Sequence, residues 1–148
     1  MRMKSGIYII GDLCYLLTNE VWQNLCDNQF DQEIHQTEVD GVPMYWHHTY
    51  YGDGCYDFHT SDYRISGAMN IPVDSGTIGI ISVDILSTNA TNRTFKDICE
   101  SKDLLIVEIK RDFEPKWDDG TFYLGSVEIW TNDEENCEYE EEEEDYGN

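Results

Sequence analysis

The densest run of side chains able to carry chemistry lies between Tyr45 and His59, reading Tyr-Trp-His-His-Thr-Tyr-Tyr-Gly-Asp-Gly-Cys-Tyr-Asp-Phe-His. Imidazoles and carboxylates supply metal ligands and general acids or bases, but only where their side chains meet on one face. Alternate residues of a strand share a face. A two-residue turn at Asp40-Gly41 sets His35 opposite Trp46. A second such turn at Asp53-Gly54 sets His48 opposite His59, and Tyr50 opposite Asp57. Together these registers gather His35, Trp46, His48, Tyr50, Asp57 and His59 on one face. A three-residue loop centred on Asp53 instead pairs His47 with His59 and shrinks the set to His47, Asp57 and His59. Neither register has the short spacing of a zinc motif such as H-E-x-x-H. Ordinary polar packing is the expectation here. His48, Asp57 and His59 stand as weak metal candidates, and no cofactor is expected.

Three acidic glycine turns punctuate the chain: Gly11-Asp12, Gly52-Asp53-Gly54 and Asp74-Ser75-Gly76. Glycine allows positive φ and close backbone approach, so such turns can shape the mouth of a ligand site. If they do, the ligand-binding set is Asp12, His48, Tyr50, Asp53, Asp57, His59 and Asp74. None of the turns is a phosphate loop, because no G-x-x-x-x-G-K-[ST] run exists. Nucleophiles are scarce. Cys14 has an apolar setting in which a thiol is inert, and Cys55, close in sequence to His59, is the better candidate. Ser75 lacks the flanking pattern of a nucleophile elbow.

The elements that must position these residues are mostly strands. Gly6 to Ile10 and Leu13 to Leu17 read as β-type runs. Thr18 caps a short helix whose apolar face is Val21, Trp22, Leu25 and Cys26, ending near Asn28. Glu33 to Val39 and Val42 to Thr49 flank Asp40-Gly41, and Cys55 to His59 completes a three-stranded meander. Arg64 to Ser66 and Met69 to Val73 are weaker strands. Thr77 to Ile85 is the most apolar one, and Thr94 caps a second helix carrying Phe95, Ile98 and Cys99. Leu104 to Ile109 and Thr121 to Trp130 are further strands. The expected architecture is α+β: one β-rich domain of seven or eight strands, a twisted antiparallel sheet or partial barrel, with two short helices.

The chain has 148 residues and a formal net charge of −22. Residues 133–148 hold ten acids and no Lys or Arg, so residues 1–132 still carry 21 acids against 9 bases. The expected division is a globular domain over 1–132 and an acidic, disordered tail over 133–148. The domain's excess of twelve negative charges exceeds the magnitude of about 2–8 common for a small soluble domain. It should be repelled by nucleic acid and anionic membrane, so neither is expected as a direct partner. The five widely spaced cysteines form no C-x-x-C pair, and no continuous apolar stretch reaches signal-peptide or membrane-span length. A cytoplasmic, soluble protein is expected.

Three blocks carry a resemblance: Gly11-Asp12-Leu13-Cys14-Tyr15, Tyr51-Gly52-Asp53-Gly54-Cys55-Tyr56, and Val73-Asp74-Ser75-Gly76-Thr77-Ile78-Gly79. They resemble a family of small uncharacterised proteins of bacteriophages, large DNA viruses and bacteria with G-D-x-C-Y, Y-G-D-G-x-Y and V-D-[ST]-G-x-I-G blocks. The similarity spans roughly residues 6–86, and Leu13 stands where that family more often has proline. The resemblance implies a small β-rich domain and a viral or mobile-element setting, with no catalytic assignment. With the charge, it leads to the expectation of an acidic accessory factor, not an enzyme, that binds and modulates a basic host protein. The alternative is a small-ligand or metal-assisted hydrolase domain framed by the glycine turns.

Overall fold

The computed structural model describes residues 1–29, 35–66 and 68–132. The acidic stretch 133–148 lies outside the described residues. Twelve strands and two α-helices make a β-rich α+β fold, with more strands than the sequence pattern suggests. The strands are β1 (Gly6–Gly11), β2 (Gln36–Val39), β3 (Val42–His48), β4 (Gly54–Tyr56), β5 (Phe58–His59) and β6 (Tyr63–Arg64). They continue with β7 (Ile71–Val73), β8 (Thr77–Ser82), β9 (Leu105–Ile109), β10 (Lys116–Asp118), β11 (Thr121–Leu124) and β12 (Val127–Trp130). The helices are α1 (Asn19–Asn28) and α2 (Phe95–Glu100).

Six strands form one antiparallel sheet in the order β2-β3-β8-β1-β9-β6. The alternation of side chains gives this sheet two buried faces. Tyr8, Ile10, Tyr45, Ile78, Ile80, Leu105 and Val107 point to one side. There they pack on Phe122, Leu124, Val127 and Ile129 from a four-stranded sheet (β10-β11-β12-β5), and on Tyr56, Ile71 and Val73 from the β4–β7 pair. Ile9, Met44, Trp46, Ile81 and Ile106 point to the other side, against Leu13, Leu16, Leu25, Ile85 and Ile98 from the helical segments. The result is three layers, with the largest sheet in the middle. Burial on both faces explains why Ile9-Ile10, Ile80-Ile81 and the run from Leu104 to Val107 are unbroken apolar sequence rather than alternating.

Local signals act as the chain chemistry requires. The Thr18 hydroxyl caps α1 by accepting from the Val21 N–H. Thr94 and Asp97 form a reciprocal capping box at the start of α2. Asp40-Gly41 is a two-residue turn with both residues at positive φ, as a tight hairpin demands. Its register sets His35 opposite Trp46, whose N–H donates to the His35 carbonyl.

Four expected elements differ. Leu13–Tyr15 is a 3₁₀ turn rather than a strand, because Asp12 caps it by accepting from the Cys14 N–H. The strand expected to run to Ile85 stops at Ser82, whose hydroxyl caps a 3₁₀ turn over Val83–Ser87. The stretch from Thr121 to Trp130 is a hairpin reversed at Gly125, which has φ of +68°. The meander through Asp53-Gly54 does not form. Strand β3 pairs with β8, placing His48 opposite Thr77, while β4 pairs with β7 and β5 with β12.

Candidate functional site

Because β3 turns to β8 instead of to its sequence neighbour, the cluster expected on one face separates. His59 lies opposite Glu128 in the four-stranded sheet, and the Asp57 carbonyl accepts from the Trp130 N–H there. His48 remains on the central sheet. The expected grouping of His48, Asp57 and His59 is therefore not formed, and neither is the alternative pairing of His47 with His59. Cys55 pairs across to Pro72 in the β4–β7 pair, so its proximity to His59 along the chain is not matched by strand pairing. Among the described residues, no group of three His, Cys, Asp or Glu side chains is arranged to hold a metal ion.

The histidines instead build an aromatic stack. His47 lies flat on Trp117 of β10, with ring centroids 4.0 Å apart and planes 4° from parallel. His35 stacks on its other side at 4.1 Å and meets Trp46 edge-on. The stack ties the central sheet to the four-stranded one. Burial, the strongest influence, pulls the His47 pKa down, opposed by a hydrogen bond to the His48 carbonyl and aided by the charges of His35 and His48. Packing was the expectation for these rings, and it takes the form of an aromatic stack, which their Tyr/Trp-rich neighbourhood favours.

The three glycine turns do converge. Gly11-Asp12 ends β1, Asp74-Ser75-Gly76 precedes β8, and residues 49–54 follow β3, so adjacent antiparallel strands deliver all three to the same end of the sheet. Asp12 is their clasp. Its side chain is fully buried, yet both oxygens are satisfied. One accepts from the Asp74 and Ser75 N–H groups, each at 2.7 Å. The other accepts from the Ser75 hydroxyl at 2.8 Å and the Cys14 N–H at 3.1 Å. Four donors on one carboxylate are what a buried charge needs to offset its lost hydration. Ser75 Oγ also lies 2.8 Å from Thr77 Oγ1.

The third turn is fastened to the second. The Thr49 N–H donates to the Gly76 carbonyl, and the Thr49 and Tyr56 hydroxyls both donate to the Gly52 carbonyl. Gly76 and Gly52 hold φ of +76° and +84°, which a side chain rarely adopts. Gly79 is needed for another reason. A Cβ there would sit 2.7 Å from Leu13 Cδ1 and 3.1 Å from the Tyr45 carbonyl. The three glycine-turn segments are thus the parts that lock together: carboxylate, hydroxyl, turn glycine and close-packed glycine each have a structural partner.

The clasp consumes Asp12 and leaves two carboxylates outward. Asp53 and Asp74 are both exposed. Partial burial, then the charges of Asp74 and Asp12, raise the Asp53 pKa, while a backbone hydrogen bond from Gly76 works the other way. Beside them Tyr50 and Tyr51 expose 53% and 43% of their surface and meet edge-to-face at 4.9 Å. The Tyr50 N–H donates to Thr131 Oγ1, and a Cβ on Gly120 would lie 3.0 Å from Tyr50 Cβ. These contacts bring the exposed Asp118-Asp119 turn alongside. Residues 49–54, 74–76 and 118–120 contain no Lys or Arg. Of the seven candidate residues, Asp12, His48, Tyr50, Asp53 and Asp74 gather at this end, and Asp57 and His59 do not. Asp118 and Asp119 were missed as members because nothing local in sequence reveals that the β10–β11 turn abuts Tyr50.

Covalent chemistry is poorly served at this end. Burial, a hydrogen bond to Asp12, and the charges of Asp12, Asp74 and Asp53 all push the Cys14 thiol pKa up, so the thiolate needed for attack is suppressed. Tyr15 is pushed up to about 12, chiefly by burial and then by Asp74 and Asp12. The arrangement suits recognition of positive charge: a rigid rim of carboxylates flanking two exposed aromatic rings. No helix among the described residues is long and apolar enough to cross a membrane. No family model, curated protein or solved structure matches this chain.

Proposed function

We propose that this chain is an acidic interaction protein, a viral or phage-type accessory factor, that docks a basic surface of a host protein through the end bearing Tyr50, Tyr51, Asp53 and Asp74. One observation carries the reading: three turns distant in sequence are clasped together so that exposed carboxylates flank an exposed tyrosine pair with no cation among them. Burial first, and then the charges of Asp74 and Asp12, raise the Asp53 pKa, and an incoming Lys or Arg relieves the repulsive part. Exposed tyrosine is among the residues enriched in protein-binding hot spots, and the carboxylates beside it select for a basic partner. The host cytoplasm is the setting this role requires, and the negative field argues against direct contact with nucleic acid or anionic membrane.

The test is affinity capture from host lysate with the full chain, compared with a Tyr51→Ala/Asp53→Asn/Asp74→Asn variant. A basic protein should be retained by the wild type, lost by the variant, and released steeply between 0.1 and 0.5 M salt, on the order of the Debye screening change over that range. Capture of no basic protein, or capture insensitive to salt and to the substitutions, overturns the proposal. The runner-up, a small-ligand or hydrolase site, would have to work with Asp53, Asp74, His48 and Tyr50, since Asp12 is fully engaged. A thermal-shift screen against nucleotides and divalent cations reports on it directly.

A further inference from the structure

The central sheet ends at β6, a two-residue strand whose one sheet neighbour among the described residues is β9. Tyr63 lies opposite Glu108, Arg64 lies opposite Val107, and the Ile65 N–H donates to the Ile106 carbonyl at 2.7 Å. Bonded positions alternate along an antiparallel ladder, so Tyr63 and Ile65 turn their backbone groups to β9, while Asp62 and Arg64 turn theirs outward. An open edge recruits another strand unless something blocks it. The edge strand β10 is blocked: Pro115 before it has no N–H, and Trp117 is covered by His47. At β6 the two most exposed large apolar side chains among the described residues stand instead, Tyr63 at 67% and Met69 at 70%. The Arg64 guanidinium donates to the Ala68 carbonyl at 3.5 Å, which folds the segment carrying Met69 back beside the strand.

We infer that this edge pairs antiparallel with the same edge of a second copy, across a two-fold axis at Tyr63. The run Asp62-Tyr63-Arg64 is its own complement when read in reverse. Asp62 falls opposite the partner's Arg64, Arg64 opposite the partner's Asp62, and the two Tyr63 rings meet on the axis. A charge on an edge strand prevents pairing where like meets like, and here opposite meets opposite at both positions. Backbone and register agree, because the residues placed opposite each other are those whose backbone groups face outward. The Asp62 N–H is already given to Thr60 Oγ1, so the join rests on each Arg64 N–H donating to the carbonyl of the partner's Asp62. The side chains are ready to pair. Asp62 Oδ2 accepts from the Ser126 hydroxyl, which leaves Oδ1. Arg64 lies over the Phe58 ring at 5.4 Å and forms no ion pair among the described residues. The contact is small and the chain as a whole is negative, so the expected Kd is on the order of 10–100 µM. Each copy's six-stranded sheet then continues into the other's.

Sedimentation velocity on the full chain tests this. The wild type should pass from monomer toward dimer between about 5 and about 500 µM. Arg64→Asp and Asp62→Arg each set like charges opposite one another, so either chain alone should stay monomeric at the upper concentration with its far-UV spectrum unchanged. An equimolar mixture of the two restores both opposite pairs and should associate with a Kd within about threefold of the wild type's. Damage to the fold cannot produce that rescue. A second readout needs no variant: in the wild type the Arg64 amide should exchange at least about twofold more slowly at the upper concentration, with the Ile65 amide unchanged. A wild type that stays monomeric, a dimer that survives Arg64→Asp, a mixture of folded variants that stays monomeric, or an Arg64 amide indifferent to concentration each overturn the pairing.

Discussion

Replacing Asp12 with Asn tests the clasp at its most sensitive atom. The side chain keeps its shape but loses its charge and one acceptor oxygen. If the amide oxygen stays on the Asp74 and Ser75 N–H groups, the amide nitrogen faces the Cys14 N–H, and that donor is left unpaired in a buried site. The Ser75 hydroxyl can turn to accept instead, so its bond survives. One lost hydrogen bond with a charged acceptor, together with the stranded donor, costs about 1.5–3 kcal/mol. For a domain of this size that is a fall in Tm of about 5–9 °C, at roughly 3 °C per kcal/mol. Asp12→Ala, which strands all four donors, should cost about 3–5 kcal/mol. Urea unfolding followed by circular dichroism measures the difference, and hydrogen exchange at Asp74 and Ser75 localises it. A stability within 0.5 kcal/mol of wild type, on the order of a neutral surface change, would refute the assignment of Asp12 as a structural clasp. Ligand binding would then be its better explanation.

Gly79→Ala should destabilise by about 1–3 kcal/mol, because its methyl group meets Leu13 and the Tyr45 carbonyl; urea midpoints report it. Thr94→Ala breaks the capping box of α2 and should cost about 1 kcal/mol by the same measurement. His47 gives a pH signature. Its folded pKa lies below the ordinary 6.5, so the unfolded chain binds more protons between those values. The associated stability is complete above pH 6.5 and is lost as pH falls through 6.5 toward the folded value. In His47→Phe the difference between urea midpoints at pH 7.5 and 5.5 should shrink, and an unchanged difference would remove His47 from the account.

What the sequence made readable was local. Thr18, Thr94 and Asp40-Gly41 each act within a few residues, and each is placed by its own chemistry. Asp53-Gly54 has the same composition as Asp40-Gly41 but a different outcome. Its flanking segments find better partners at a distance, Thr77 for His48 and Val73 for Gly54. Pairing across 19 and 29 residues, and across 69 for His59 with Glu128, leaves no period in the sequence, so the expected face of His48, Asp57 and His59 was a register argument with no means of checking its partner. The glycine turns were recognisable as a set. That Asp12 would face inward and Asp53 and Asp74 outward depended on which turn donates backbone N–H groups to which carboxylate.

The clasp also bears on the order in which the chain can become stable as it is synthesised. Strand β1 is made first, yet its two neighbours in the sheet, β8 and β9, are made much later, and Asp12 has no donors beyond Cys14 until residues 74 and 75 emerge. Until then, burying Leu13 and Leu16 would drag an unsatisfied carboxylate out of water. The amino-terminal third is therefore held back from premature collapse by its own aspartate, and a nascent chain stalled before residue 74 should stay sensitive to protease along its whole length.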